Sequence, residues 1–252
     1  MKRIFLKVAY DGTNYCGWQK QNNGVAVESV INNALSELLG TEISIIGASR
    51  TDAGVHALGN IAVFDTDSRI PGEKFAYALN QRLPEDIVIQ ESKEVAPEFH
   101  PRYCECNKTY VYRVLNCKFP IPMERLYAYF LYYDIDVDKM QEAAQYLVGT
   151  HDFASFCSVN AQVKSTVRTV NYIKVTRKKD MLYGEHDIIS IEINGNGFLY
   201  NMVRIISGTL LQVGMGRMDI KEVKDILDAA DRSKSGPTAP ARGLSLVQIN
   251  YL

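Results

Sequence analysis

Arg3-Ile4-Phe5-Leu6-Lys7-Val8-Ala9-Tyr10 alternates Ile4, Leu6 and Val8 against Phe5 and Lys7, the period of a half-buried strand. A polar stretch rich in Gly and Asn runs from Asp11 to Gly24. Val27, Val30, Ile31, Ala34, Leu35 and Leu38 then recur at helical spacing, and Gly40 stops that helix. Working outward, residues 43–46 read as a short strand, 48–56 as a loop and 57–66 as a strand. A helix opened by Pro71 runs to about Arg82, and 87–90 is a further strand. The order is β-α-β-β-α-β, the split βαβ arrangement. The second half repeats it: strand 109–115, helix 138–148, strands 167–177 and 188–193, a long apolar helix 198–213, an inserted helix 220–230, and a closing strand 244–249. The fold class expected is α+β, two ferredoxin-like βαββαβ units with mainly antiparallel sheets. The domains expected are 1–105 and 106–252, joined near residues 95–107. No repeat is visible at the level of residue identity.

The chain has 252 residues, enough for one large domain or two small ones. Its 46% hydrophobic and 23% charged residues are ordinary for a globular protein. No apolar run approaches the roughly 20 residues of a membrane helix. Asp11-Gly12 interrupts the N-terminal apolar segment too early for a secretory leader, so the cytoplasm is the expected compartment. The five cysteines, Cys16, Cys104, Cys106, Cys117 and Cys157, form no C-x-x-C pair. Neither a disulfide framework nor a structural zinc site is expected from them. His56, His100, His151 and His186 show no metal-ligand spacing either, and no metal is expected.

The formal net charge of -1 argues against a nucleic-acid partner, but the distribution of charge argues for one. Residues 1–105 carry 10 Lys and Arg against 14 Asp and Glu, whereas 106–252 carry 18 against 15. No acid lies between Asp152 and Asp180, a span holding Lys164, Arg168, Lys174, Arg177, Lys178 and Lys179. A second acid-free span, from Glu105 to Glu124, holds Lys108, Arg113 and Lys118. Such segments attract a polyanion even when the total charge is near zero. A lysine-rich strand edge that discourages aggregation has the same composition.

Ser49-Arg50-Thr51-Asp52-Ala53-Gly54-Val55-His56 lies between two strands, with Asp52 among small residues and two residues after a cation, Arg50. A carboxylate held there can serve as nucleophile, general base or metal ligand, or can simply hydrogen-bond its own turn. Other chemistry is less well supplied. Gly195-Asn196-Gly197 lacks the third glycine of a dinucleotide fingerprint, and neither a Walker-type loop nor G-x-S-x-G occurs.

The same eight residues resemble the signature of the tRNA pseudouridine synthase A family. Four further stretches resemble that family's motifs in the right order. They are Tyr10-Asp11-Gly12-Thr13 with Gly17-Trp18-Gln19-Lys20-Gln21, Lys108-Thr109-Tyr110-Val111-Tyr112, Gly197-Phe198-Leu199-Tyr200-Asn201-Met202-Val203-Arg204, and Ala239-Pro240 with Gly243-Leu244. Ser49 departs from the pattern, since many relatives have Gly there.

The resemblance implies an isomerase that converts uridine to pseudouridine in the anticodon stem-loop of tRNA, at positions 38, 39 and 40, without cofactor or metal. It implies that Asp52 is catalytic, as a nucleophile or as an electrostatic partner to glycal formation, in a cleft between the two units. Arg204 is implied as the cation that keeps Asp52 ionised, although a phosphate contact or a helix cap are alternatives for an arginine there. Tyr110 is implied to stack on the uracil and to take part in proton removal from C5. Arg50 is implied as a wedge or phosphate ligand. A homodimer sharing one tRNA is also implied, which would let a chain of net charge -1 assemble a basic surface. Two rivals stand beside this reading: a non-catalytic RNA-binding protein of the same fold, and a small-molecule enzyme that uses the carboxylate in a pocket.

Overall fold

In the computed structural model, which describes residues 1–22, 24–158 and 164–252, the first alternation becomes β1 (Lys2–Tyr10), with Ile4, Leu6 and Val8 fully buried. Helix α1 (Val27–Leu39) turns Val27, Ile31, Ala34 and Leu35 inward. Gly40 ends it at φ 67°, its amide donating to the Ser36 carbonyl, a closure that glycine adopts without steric cost. Full burial of a side chain such as Leu35 is worth about 1.5–3 kcal/mol, so this stripe anchors the helix. Strand β2 is only Ile46–Gly47, shorter than the sequence suggests. The reason is local: the amides of Ile43 and Ile45 donate to the side chains of Ser36 and Asn32 on α1, so they are not free for a strand ladder.

Strand β3 (His56–Thr66) follows, then a 3-10 turn at Gly72–Lys74 and helix α2 (Phe75–Asn80). The Asn80 carboxamide both donates to and accepts from the backbone of Ile89, tying α2 to β4 (Ile87–Val95). β1 lies between β3 and β4 and is antiparallel to both. Phe64 and Phe75 meet edge to face at 5.2 Å beneath this sheet.

The second half holds β5 (Cys106–Asn116), β6 (Tyr129–Leu131), α3 (Val137–Ala144), β7 (Gly149–Asp152), β8 (Val167–Asp180), β9 (His186–Gly195), α4 (Met202–Gly214), α5 (Glu222–Ala229) and β10 (Leu244–Tyr251). β5, β9, β8 and β7 pair antiparallel in that order, and β6 adds parallel to β5. α3 is stitched to β8 by Gln141, whose amide donates to Ile173 O at 3.1 Å and accepts from Val175 N at 2.7 Å. β10 runs parallel to β3 at Ser245↔His56 and Leu246↔Ala57. Contacts divide the chain into a first unit, Met1–Cys106 with Ser245–Leu252, and a second, Asn107–Leu244. The class is α+β with mainly antiparallel pairing, as the sequence pattern implies. Among the described residues no helix is long and apolar enough to cross a membrane.

Candidate active site

In the first unit, the loop between β2 and β3 is held by the loop that follows β1. Tyr10 Oη and Thr51 Oγ1 are 2.7 Å apart. Trp18 N–H donates to Thr51 O at 3.1 Å, Gly54 N–H to Tyr15 O at 3.3 Å, and Val55 N–H to Asp52 O at 3.1 Å. Asn60 holds the other end, its side-chain amide donating to Ser49 O at 3.0 Å. Two glycines make the approach possible. A Cβ on Gly12 would stand 2.0 Å from Val55 O, and one on Gly17, at φ 110°, would stand 2.6 Å from Thr51 O. Trp18 is fully buried, and Gly47 leaves room for it, since a Cβ there would lie 2.2 Å from its Nε1. The backbone that carries Asp52 is therefore fixed on both sides while its side chain is half-buried; Arg50 is exposed beside it.

His56, at the end of this loop, is buried and accepts from Gly12 N–H through Nδ1 at 3.1 Å. Asp11 Oδ1 also approaches the same nitrogen at 3.1 Å. Asp11 Oδ1 accepts as well from the Thr13 amide and hydroxyl. His56 thus braces the loop.

In the second unit the remaining motifs form another cluster. Asn201 sits at φ 60°, left-handed, and α4 starts only at Met202 instead of at residue 198. Asparagine tolerates this conformation better than most residues, which explains the late start. Its Oδ1 accepts from Arg204 Nη1 at 2.7 Å, its Nδ2 donates to Ser158 Oγ at 2.9 Å, and Arg204 Nε donates to Ala239 O at 2.8 Å. The segment 236–243 is drawn onto α4 and β5 by further close approaches. A Cβ on Gly208 would meet Pro237 O at 1.8 Å, and one on Gly243 would meet the Tyr112 ring at 2.7 Å. Tyr112 Oη donates to Pro240 O at 2.8 Å, and burial pushes that hydroxyl well above its ordinary pKa, so it stays a donor. Tyr110 is buried two residues away on β5, with Phe198 packed edge-on at 5.2 Å. Asn201, which orients Arg204, lies inside the 197–204 motif but received no role of its own from the sequence.

Asp52 and Arg50 thus share one loop of the first unit, and Tyr110 and Arg204 belong to the second. The basic segments are less free than their composition suggests. Arg113 pairs with Glu124, Arg177 with Asp187, and Lys179 with Glu185. Arg168 donates to Ser165 O and Val167 O, and burial lowers its pKa. Lys164, Lys174 and Lys178 stand exposed, while residues 159–163 of the same span lie outside the described residues. All five cysteines are unpaired thiols.

Comparison with known proteins agrees with the motif clusters. The family described as tRNA pseudouridine synthase matches residues 7–104 and 143–252, which include the Asp52 loop, the Arg204 helix and segment 236–243. Residues 105–142, with Tyr110, fall between the matched segments. The tRNA pseudouridine synthase A of Thermoanaerobacter sp. (strain X514) is 47% identical over 251 residues, covering 100% of both chains. That of Ruminiclostridium cellulolyticum is 50% identical, again over 100% of both, and tRNA pseudouridine synthase A 2 of Clostridium tetani is 49% identical over 99% of both. The chain belongs to the tRNA pseudouridine synthase family and is an isomerase.

Proposed function

We propose that the chain converts uridine to pseudouridine in the anticodon stem-loop of tRNA, at positions 38, 39 and 40, with Asp52 as the attacking carboxylate. The observation that carries this reading is the bracing of the Asp52 loop by residues 10–18, which fixes the backbone beneath a half-buried carboxylate. The reaction is an isomerisation. The N1–C1′ bond breaks, the uracil turns, C5 bonds to C1′, a proton leaves C5 and N1 gains one. An ionised carboxylate contributes by bonding to C1′ as N1 leaves and being displaced when C5 attacks, or by taking the C2′ proton as the base departs to give a glycal and returning it when C5 bonds to C1′.

Each remaining site residue has a part. Arg204, held by Asn201 and Ala239, supplies a fixed cation that favours the ionised carboxylate. Tyr110, steadied by Phe198, stacks on the uracil. Arg50 contacts phosphate or wedges into the space left by the extruded nucleotide, since a uridine in a stem must be flipped out to react. Lys164, Lys174 and Lys178 contribute sequence-independent phosphate contacts, and two chains acting together in the cytoplasm hold one tRNA.

The test is pseudouridine mapping in unmodified tRNA transcripts, wild type beside Asp52→Asn, with no cofactor added. Conversion at the anticodon-arm positions by wild type alone, with tRNA affinity of the variant within a few fold, is the expected result. Conversion by the variant removes Asp52 from the chemistry; conversion elsewhere in the tRNA overturns the assignment of positions.

A further inference from the structure

Three segments of the second unit converge away from any motif. Glu124 ends the 3-10 turn Pro122–Glu124, Asp180 ends β8, and His186 begins β9, facing Asp180 across the hairpin. One ring nitrogen of His186 and one carboxylate oxygen from each acid all lie within 4.8 Å of one another. The other ring nitrogen of His186 and Oδ1 of Asp180 are hydrogen-bonded to the backbone.

His186 Nδ1 lies 2.7 Å from Gly184 O, a carbonyl that can only accept, so the proton sits on Nδ1 and Nε2 keeps its lone pair. Nε2 is buried with no hydrogen-bond partner among the described residues, in a side chain only 5% exposed. Metal-bound imidazoles are commonly oriented this way, with the second nitrogen donating to a backbone carbonyl. Glu124 is 6% exposed, and its Oε2 also lacks a hydrogen bond among the described residues, although Arg113 Nη1 approaches to 3.2 Å. Asp180 is half-buried and oriented by the Leu182 amide on Oδ1 at 2.8 Å. Leaving a buried polar atom such as His186 Nε2 unpartnered costs about 1–3 kcal/mol.

We propose that Glu124, Asp180 and His186 bind one divalent cation of the zinc class, which ties the β8–β9 hairpin to the turn before β6. A cation placed centrally lies at most about 2.8 Å from each of the three atoms, and a shift of under about 1 Å reaches the bond lengths of zinc to nitrogen and oxygen. The half-buried side of Asp180 leaves room for water as a fourth ligand. An imidazole with two carboxylates favours zinc-like ions over magnesium and calcium, which prefer oxygen alone. The two carboxylates outweigh the single positive charge of Arg113. This departs from the expectation that the chain holds no metal. It does not depend on the catalytic reading, because the cation has no part in the isomerisation.

The test uses the full chain, stripped with chelator and titrated with Zn²⁺ against a competing chromophoric chelator. One equivalent is expected to bind with a dissociation constant at or below about 1 μM. His186→Ala and Asp180→Asn should each weaken it at least about 100-fold, and millimolar Mg²⁺ should not displace it. Asp180→Asn is isosteric and half-buried, and an unchanged unfolding midpoint without metal shows that it folds. In the wild type, nitrogen NMR should show the Nε2 resonance of His186 shifting on addition of Zn²⁺ while the other three histidines stay. The proposal is overturned by no binding, by binding that both variants retain, by displacement with Mg²⁺, or by an unmoved His186 resonance, the last meaning that the three groups share a water only.

Discussion

The Asp52 loop and the Arg204 turn position their functional side chains by opposite means. The first is fixed through its backbone: glycines at 12 and 17 admit main-chain contact that any Cβ would block, and hydrogen bonds run to carbonyls of the loop. Arg204 is fixed through its own side chain, gripped by the Asn201 amide and the Ala239 carbonyl. In the Asp52 loop the constraint falls on the chain behind the carboxylate. A guanidinium has five donors in a fixed plane and can be anchored through several of them. Substitutions should therefore hurt the first region through chain geometry and the second through side-chain loss.

The largest expected effect comes from the reacting group itself. Asp52→Asn keeps shape and loses charge, and should lower kcat for pseudouridine formation by at least about 10³-fold, with thermal stability unchanged. Comparable kcat for the two proteins would break the comparison at its root. Gly12→Ala tests control through the backbone. Moving the Val55 carbonyl displaces the loop, and a misplacement near 1 Å should cost about 10²-fold in kcat, together with a lower unfolding midpoint by calorimetry. Asn201→Gly tests control through the side chain. Glycine accepts φ 60°, so the fold should survive, while loss of one Arg204 anchor should reduce kcat about 10-fold. A loss as large as that of Gly12→Ala would mean that Asn201 also holds the chain path.

The smallest effect is remote from both regions. Arg3 clasps Asp65 with two bonds, at 2.8 and 2.7 Å, and holds that carboxyl below its ordinary pKa. A lowered native pKa means stability that is present above the unfolded value, about 3.9, and lost as pH falls through the native one. Asp65→Asn should therefore cost about 1 kcal/mol at neutral pH, with the difference from wild type vanishing in acid and activity untouched. Urea unfolding at several pH values reads this directly.

What the sequence disclosed follows the same division. The family resemblance was legible in motifs made of neighbours in the chain, such as residues 49–56 and 197–204, which lie within the segments that match the family. The longer elements were legible from periodicity, whereas the short strands β6 and β7 were not. Three further things were not. The shortening of β2 depends on Asn32 and Ser36 capturing strand amides from a helix, a contact without a local signature. The closing strand was evident in 244–249, but its parallel partner β3 was not, since alternation identifies a strand and not its neighbour. Glu124, Asp180 and His186 lie far apart in the chain, and only the β8–β9 pairing and the turn before β6 gather them. Asn201 falls between these cases: it sits inside a recognised motif, yet its left-handed backbone and its hold on Arg204 are properties of the folded chain.

The central claim is that the Asp52 carboxylate drives the transfer of uracil from N1 to C5 attachment. Release of tritium from tRNA carrying uridine labelled at C5 tests it most directly, because the label leaves only when the new carbon–carbon bond has formed. Wild type should release tritium from the anticodon-arm uridines, and Asp52→Asn should release none above background while still binding the tRNA within a few fold. Release by Asp52→Asn at a rate near that of wild type would contradict the account.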